Sequence, residues 1–535
     1  MPSLQSSIIA ESAQFKANRE AHLALLDQLR AIESRICAAS ARSKAKFAKR
    51  GQLLPRERVA LLLDRGASFI ELSTLAGLGF HEDDGADQVY GGGIIAGIGL
   101  VSGRRIMVIA HDAGIKGGAA HPYGVEKQLR AQEIAIENKL PLVQLIESAG
   151  ANLMLQAEMF VNGGKIFANL ARMSALGNGV VGVVHGSSTA GGAYQVGLSD
   201  YTIMVRARSK VFLAGPPLLK AATGEIADDE ALGGSELHSA VTGLGDYLAE
   251  NDADGIRIAR DIVGRMPRSG SPVRAYAEPL YGAEDLLGIV PTDHRKPYDA
   301  REVVARIVDG SDFLEFKPRY GTWTLCGHAA IQGHPVGIIG NNGPIDADGA
   351  TKAAQFIQLC CQSDTPILFL QNTTGFMVGT DAERAGIVKH GSKMIQAVTN
   401  ATVPKITIQL GGSFGAGHYA MCGRAFAPRF IFAWPNNRVS VMGGEQAAKV
   451  LTIIGEDSAE ARGQEPDRAA MEAMSERLID TYQRQSAATY ASARLWDDGI
   501  IDPRDTRRVL GECLAICEAA EQQVLQPNSF GVARL

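Results

Sequence analysis

The residues with most to say about chemistry are two glycine-rich stretches that lie 225 positions apart. Gly186-Ser-Ser-Thr-Ala-Gly-Gly-Ala-Tyr194 aligns with Gly411-Gly-Ser-Phe-Gly-Ala-Gly-His-Tyr419, with identities at Gly186/Gly411, Ser188/Ser413, Gly192/Gly417 and Tyr194/Tyr419. Each follows an apolar run that reads as a strand, Val180 to Val184 in one copy and Ile406 to Ile408 in the other. A strand passing through small residues into a helix start leaves backbone N–H groups without intrahelical partners, and such groups hold anions. Two cradles predict two oxyanions to be stabilised.

The side chains around the cradles offer little catalysis of their own. Gly411-Gly-Ser-Phe-Gly415 satisfies the GxSxG pattern of a nucleophile elbow and would make Ser413 an acyl-serine. Its partner Ser188 keeps the serine without the second glycine, so the serine reads as structural. His418 faces Ala193 across the repeat and reads as packed at a helix start. Glu147 and Asn372 are repeat partners at strand ends, and one carboxylate matched by one amide reads as positioning rather than as an acid–base pair. What remains is catalysis by main-chain donors, worth about 3 to 4 kcal/mol per donor at a developing oxyanion. An enolate formed from a thioester is one such anion. Packing of helix on strand is the other reading of Gly191-Gly192 taken alone.

The repeat extends to the elements that must position these residues. Leu140-Pro-Leu-Val-Gln-Leu-Ile-Glu-Ser-Ala-Gly150 matches Thr365-Pro-Ile-Leu-Phe-Leu-Gln-Asn-Thr-Thr-Gly375 at the same offset. Arg58 to Glu71 resembles Arg301 to Glu315, at an offset of 244 where Phe69 matches Phe313, which predicts an insertion of about twenty residues between the blocks. Short Val/Ile/Leu runs alternate with helical patterns at Val125 to Asn138 and Thr351 to Gln362, the mark of βαβ units on a largely parallel sheet. Leu25, Leu29, Ile32 and Ile36 predict an amphipathic helix over residues 13 to 38. A basic run follows, with Arg42, Lys44, Lys46, Lys49, Arg50, Arg56 and Arg58, which reads as a solvated face able to attract a phosphate-bearing ligand. The Pro267–Pro272 loop lies in the stretch 265 to 295 where the halves divide. The expected organisation is residues 1–50 as helix and basic segment, 51–280 as a first domain and 281–535 as a second.

Totals set the outer bounds. With 535 residues the chain exceeds a single core. A hydrophobic content of 46%, a charged content of 21% and a net charge of −5 call for neither nucleic acid nor membrane. Seven scattered cysteines show no zinc spacing, and neither GxxxxGK[ST] nor HExxH occurs, so no metal is expected in this chain. Cys513 and Cys517, at helical spacing, read as buried thiols. Residues 1 to 10 lack the pattern of a signal peptide, and the expected compartment is the cytoplasm.

Seven motifs together carry a family resemblance. They are Ser187–Tyr194, Val211-Phe-Leu-Ala-Gly-Pro-Pro217, Ala221-Ala-Thr-Gly-Glu225, Gly375-Phe-Met-Val-Gly379, Gly411–Gly417, Met421-Cys-Gly-Arg424 and Val441-Met-Gly-Gly-Glu-Gln446. From about residue 45 to 500 the chain resembles the carboxyltransferase β subunits of biotin-dependent acyl-CoA carboxylases. The resemblance implies an α/β fold of two tandem duplicated crotonase-like (ββα superhelix) domains. It also implies carboxyl transfer from carboxybiotin to an acyl-CoA, the proton leaving the substrate being taken up by biotin rather than by a side chain. Gly191 and Gly192 would then serve the acyl-CoA enolate, and Ala416 and Gly417 the ureido oxygen of biotin. Lys116, Gly117, Gly118, Ala149, Gly150, Ala190 and Tyr194 would bind substrate, and Gly375, Phe376, Phe414 and Gly415 would bind biotin.

Partners and substrate follow from the same resemblance. The chain has neither an AMKM-like biotinylation segment nor a recognisable ATP-grasp motif, which implies a separate α subunit with biotin carboxylase and biotin carrier functions. A β6 core within an α6β6 complex is expected. The motifs are most similar to the methylcrotonoyl-CoA and geranoyl-CoA branch, which carboxylates the γ-carbon of a 3-methyl-branched 2-enoyl-CoA. Asn372–Thr380 and Phe430–Asn436 lean towards the geranoyl type. Two departures stand out: Glu147-Ser-Ala-Gly150 replaces Asp-Ser-Gly-Gly, and His418 replaces a common asparagine. Transfer to propionyl-CoA or acetyl-CoA, a biotin-dependent decarboxylase subunit and a non-catalytic CoA-binding scaffold are the alternative readings.

Overall fold

The computed structural model describes residues 3–80, 90–267, 270 and 274–533, so that most of the Pro267–Pro272 loop lies outside the described residues. Two compact units emerge. One, the C unit, comprises Met1–Arg30, Val273–Ser492 and Trp496–Ala515; the other, the N unit, comprises Ala31–Pro272, Ala493–Leu495 and Ile516–Leu535. Neither is a single continuous segment.

The N unit is built on an eight-stranded sheet of β1 (Phe69–Leu72), β2 (Ile94–Val101), β3 (Arg104–His111), β4 (Leu142–Ser148), β5 (Val180–Thr189), β6 (Tyr201–Val205), β7 (Lys210–Phe212) and β8 (Tyr247–Ala249). The order is β1-β2-β3-β4-β5-β6-β8, with β7 paired to the far end of β5. Strands β1 to β3 are antiparallel, and β3 onward runs parallel. Parallel strands are covered on both faces, which explains why β4 is buried along its whole length. Val143, Leu145, Val181, Val183, Ile203 and Val205 form its core with Ile256, Ala259 and Val263 of the Asp252–Arg265 helix.

The C unit repeats the plan with β9 (Leu314–Glu315), β10 (Thr324–Ile331), β11 (His334–Asn341), β12 (Ile367–Thr373), β13 (Lys405–Phe414), β14 (Phe430–Ala433) and β15 (Arg438–Ser440). The order is β9-β10-β11-β12-β13-β14, with β15 paired to the end of β13. Phe356 and Ile357 of the Ala347–Gln362 helix and Met394 and Val398 of the Ile387–Thr399 helix pack on Ile339, Ile367 and Phe369.

The duplication holds in detail. At the offset of 225, β4 matches β12, β5 matches β13, and the Pro122–Glu137 helix matches Ala347–Gln362, end for end. Both middle strands break register at the same place, so Ser148 pairs with Ser188 and Thr373 with Ser413. A Cβ at Gly97 or at Gly327 would overlap the ring of Phe69 or of Phe313, the same side chain filling the same gap in both copies. Arg56 forks onto Glu71 at 2.8 and 3.0 Å, and Arg301 onto Glu315 at 2.6 and 2.9 Å. The offset is 244 at Glu71/Glu315, 230 at β2/β10 and β3/β11, 225 from the next helix through β5/β13, and then 229 at β6/β14 and 228 at β7/β15. The expected single insertion is therefore two, fourteen residues between β1 and β2 and five between β3 and the Pro122 helix. Among the described residues no helix is long and apolar enough to cross a membrane.

Candidate active site

In the N unit the chain leaves β5 at Thr189, turns at Ala190 (φ 51°) and enters the Gly191–Gly197 helix. The Ala190 N–H donates to the Phe212 carbonyl at 3.1 Å, which ties the rim to β7. Gly191 and Gly192 occupy the first helical turn, where N–H groups have no acceptor within the helix. A Cβ at Gly192 would stand 3.0 Å from Ser148 Cβ and from Ser188 Oγ, so any side chain there would have to push these serines aside by a few tenths of an ångström. The turn holding Lys116, Gly117 and Gly118 joins this site, because the Gly118 carbonyl accepts the Ala149 N–H at 3.1 Å and the Gly150 carbonyl accepts the Ala120 N–H at 2.8 Å. The five-residue insertion falls in this loop, so the C unit has no counterpart for the whole of it. Gly150 lies under the rim, its Cβ position 3.6 Å from Ala190 Cβ. Tyr194 is half exposed and packs against Phe167, with ring centroids 5.9 Å apart.

A cleft of about 370 Å³ opens beside the cradle, lined by Gly117, Ser148, Ala149 and Ser187 together with Lys46, Arg50, Arg208 and Lys210. Lys210 pairs with Asp229, whereas Lys46, Arg50 and Arg208 are exposed. The basic run is thus not one solvated face. Arg56 is bound to Glu71, and Arg58 is buried between Glu147 (2.7 Å) and Asp252 (2.9 Å). Spacing could not separate these fates, because the acids that claim Arg56 and Arg58 come from other elements.

The buried network fixes the floor of the site. Gln52 donates to the His185 carbonyl at 2.7 Å and to Glu147 Oε1 at 3.3 Å, and the Leu53 N–H donates to Asp252 at 2.8 Å. Burial pushes the Asp252 carboxyl up, but the hydrogen bond and charge of His185, with Arg58, outweigh it and hold the group at about 2. Burial, then the Arg58 charge, pushes His185 down. Both Glu147 oxygens are engaged, so this carboxylate positions rather than transfers a proton.

In the C unit Gly415 takes the place of Ala190 with nearly the same φ, 54°, and opens the Gly415–Ala420 helix that contains Ala416 and Gly417. A Cβ at Gly417 would stand 2.8 Å from the Gly375 Cα, and one at Gly415 would stand 3.0 Å from the Val441 carbonyl. Gly375 is held by Thr373, whose Oγ1 accepts its N–H at 3.2 Å. Phe376 pairs with Ile345 and packs over Gly391. Phe414 is buried, its ring 4.9 Å from His294, so its side chain faces the interior and its backbone alone borders the cradle.

Ser413 is fully buried and makes no nucleophile elbow. Gln371 Nε2 donates to the carbonyls of Met421 (2.6 Å) and His418 (3.3 Å), which turns its Oε1 to accept from the Ser413 hydroxyl at 2.8 Å. Ser413 Oγ must then accept from His418 Nδ1, also at 2.8 Å. This polarity is opposite to that of a histidine drawing a proton from serine. Burial pushes His418 down to about 4, so the ring is neutral near pH 7.

One pair escaped the motif reading. Lys127 and Lys352, again 225 apart, are both buried. Lys127 donates to the Ile94 carbonyl at 2.7 Å and is pushed down to about 8 by burial; Lys352 Nζ has no hydrogen-bond acceptor among the described residues. The shared offset was the signal available.

Comparison with known proteins identifies the family. The carboxyl transferase domain family model matches residues 46–530. A probable biotin-dependent acyl-coenzyme A carboxylase beta2 subunit of Mycobacterium tuberculosis is 47% identical over 99% of this chain and all of its own length. A biotin-dependent 3-methylcrotonyl-coenzyme A carboxylase beta1 subunit of the same organism is 49% identical over 92% of this chain and 93% of its own. Among solved structures, the β subunit of geranyl-CoA carboxylase from P. aeruginosa is 57% identical, covers all of both chains and superposes with a TM-score of 0.94. Two duplicated crotonase-like halves are the fold of this family, and the chain belongs to it as the carboxyltransferase β subunit of a biotin-dependent acyl-CoA carboxylase.

Proposed function

We propose that this subunit carboxylates the γ-carbon of a 3-methyl-branched 2-enoyl-CoA, with geranoyl-CoA the preferred acceptor. One observation carries the choice: identity is higher, over the full length of both chains, to the geranyl-CoA carboxylase β subunit than to the relative named for 3-methylcrotonyl-CoA. In this reading the N–H groups of Gly191 and Gly192 bind the thioester oxygen and stabilise the negative charge it gains when the γ-proton leaves. Lys116, Gly117, Gly118, Ala149, Gly150, Ala190 and Tyr194 border the acyl chain and thioester, and Lys46, Arg50 and Arg208 take the phosphates of the CoA nucleotide.

The second cradle fits a flat ureido group. At Gly415 and Gly417 no side chain can stand between the backbone and a ligand, and in this reading Gly375, Phe376 and the Phe414 backbone border the biotin. The Ala416 and Gly417 N–H groups would hold the ureido oxygen. Carboxybiotin, carried covalently by the α subunit, supplies the activated carboxyl group. The residues of this chain orient both reactants and stabilise charge, which needs no side-chain base. In this reading the N unit is the acyl-CoA domain, centred on residues 51–280, and the C unit the biotin domain, centred on 281–535, with residues 1–30 belonging to the C unit and 516–535 to the N unit. The assembly is proposed as a β6 core in an α6β6 complex in the cytoplasm.

The test is co-expression with the biotinylated α subunit, followed by labelled bicarbonate incorporation into geranoyl-, 3-methylcrotonoyl-, propionyl- and acetyl-CoA. The highest kcat/KM is expected with geranoyl-CoA. A preference for 3-methylcrotonoyl-CoA would move the acceptor within the branch, and a preference for propionyl- or acetyl-CoA would remove the chain from it.

A further inference from the structure

The two cradles share a backbone but not a support. In the N unit the positions equivalent to Gln371, Ser413 and His418 are Ile146, Ser188 and Ala193. Ser188 Oγ is buried there without a hydrogen-bond partner among the described residues. In the C unit the same serine lies in the middle of a relay: His418 Nδ1–H donates to Ser413, and Ser413 donates to Gln371. Gln371 reaches on to the carbonyls of His418 and Met421, at the far end of the cradle helix. One chain of hydrogen bonds thus starts in the helix, crosses to β13 and β12 and returns to the helix, which has six residues and little intrinsic stability. A Cβ at Gly423 would overlap the His418 ring, so that glycine makes the room the relay needs.

We propose that His418 is the positioning residue of the biotin-side cradle, locking the backbone of Gly415, Ala416 and Gly417 through Ser413 and Gln371. The inference rests on the assignment of this cradle to biotin. A neutral, hydrogen-bonded relay fixes the aim of the N–H donors without adding charge beside the ureido group, and a misplacement of about 1 Å would cost of the order of 10²-fold in rate. On the acyl side that relay is absent among the described residues, and the cradle helix is held instead through Gln195, whose Oε1 accepts from Gln128 at 2.8 Å.

The amide nitrogen of asparagine stands where histidine has Nδ1, whereas that of glutamine lies one bond further out. In the α/β holoenzyme, His418→Asn should therefore keep kcat within about threefold, since its amide still donates to Ser413. His418→Gln and Ser413→Ala should lower kcat by about 10- to 100-fold and leave KM for geranoyl-CoA or 3-methylcrotonoyl-CoA within about twofold. Sizing of the complex shows whether each variant assembles; should His418→Gln fail to, Ser413→Ala, which removes one buried oxygen, carries the test. Equal impairment of His418→Asn and His418→Gln, a loss confined to the acyl-CoA KM, or normal kcat in assembled Ser413→Ala overturns the proposal. Gly417→Trp separates it from the reading beneath it: normal transfer in that variant overturns the cradle assignment, whereas loss of transfer there with normal kcat in Ser413→Ala overturns only the role of His418.

Discussion

Gly192 leaves its backbone bare, with little room for a side chain. Any Cβ would press on Ser148 and Ser188, and a large one would also fill the space above the N–H donors. Gly192→Trp is expected to abolish carboxyl transfer while leaving assembly with the α subunit intact, read by bicarbonate incorporation and by sizing. Normal turnover in that variant would sink the acyl-side assignment. Ala190 shows the opposite trade. It holds the left-handed turn that glycine makes in the second copy, at a cost of about 1 kcal/mol, and is held there by the hydrogen bond to Phe212.

At the scale of elements, what matters is where strand ends and loops deliver charge. The segment after the Ala13–Ala39 helix docks on the loop following β3 through Ser40 and Ser43, which donate to Asp112 Oδ1 at 2.8 Å and to the Gly114 carbonyl at 3.1 Å. That docking presents Lys46 and Arg50 to the cleft, across from Arg208 at the start of β7. Lys46→Glu or Arg208→Glu should raise KM for the acyl-CoA by about tenfold at low ionic strength, less at high salt, and lower kcat far less, because exposed charge pairs are screened and bind ground and transition states alike. Steady-state kinetics at two salt concentrations check this, and an unchanged KM would remove the nucleotide from the cleft.

Across the whole molecule, buried titratable groups set the response to acid. His111 and His418 are each pushed down to about 4 by burial. Below pH 6.5 an unfolded chain takes up protons at these rings, whereas the folded chain refuses them until about pH 4, so each costs stability as pH falls through that window, by up to about 1.4 kcal/mol per pH unit. Asp497 acts in the opposite sense: burial pushes it up to about 7, so the folded state takes its proton first and gains as pH falls towards its ordinary value of 3.8. Asp252, held at about 2, changes little above pH 4. His418→Asn should therefore flatten the fall of the unfolding midpoint between pH 6.5 and 4.5, and Asp497→Asn should stabilise more at pH 8 than at pH 5. Parallel pH profiles for wild type and His418→Asn would contradict the neutral, desolvated histidine.

The duplication and both glycine-rich turns were legible in the spacing of the chain, and the reaction class in its motifs' resemblance to a family. A backbone cradle demands small residues at fixed spacing, and those demands are local: Gly192, Gly417 and the offset of 225 record them wherever the strands lie. Side-chain roles were not local. Arg58 and Lys46 belong to one basic run, yet Asp252, nearly two hundred positions away, takes the first out of solvent while the second faces the cleft. Ser413 matched an elbow motif, and only the amide of Gln371 on the neighbouring strand determined which way its proton points. Desolvation and hydrogen-bond direction depend on what stands across the sheet, which spacing along the chain does not specify.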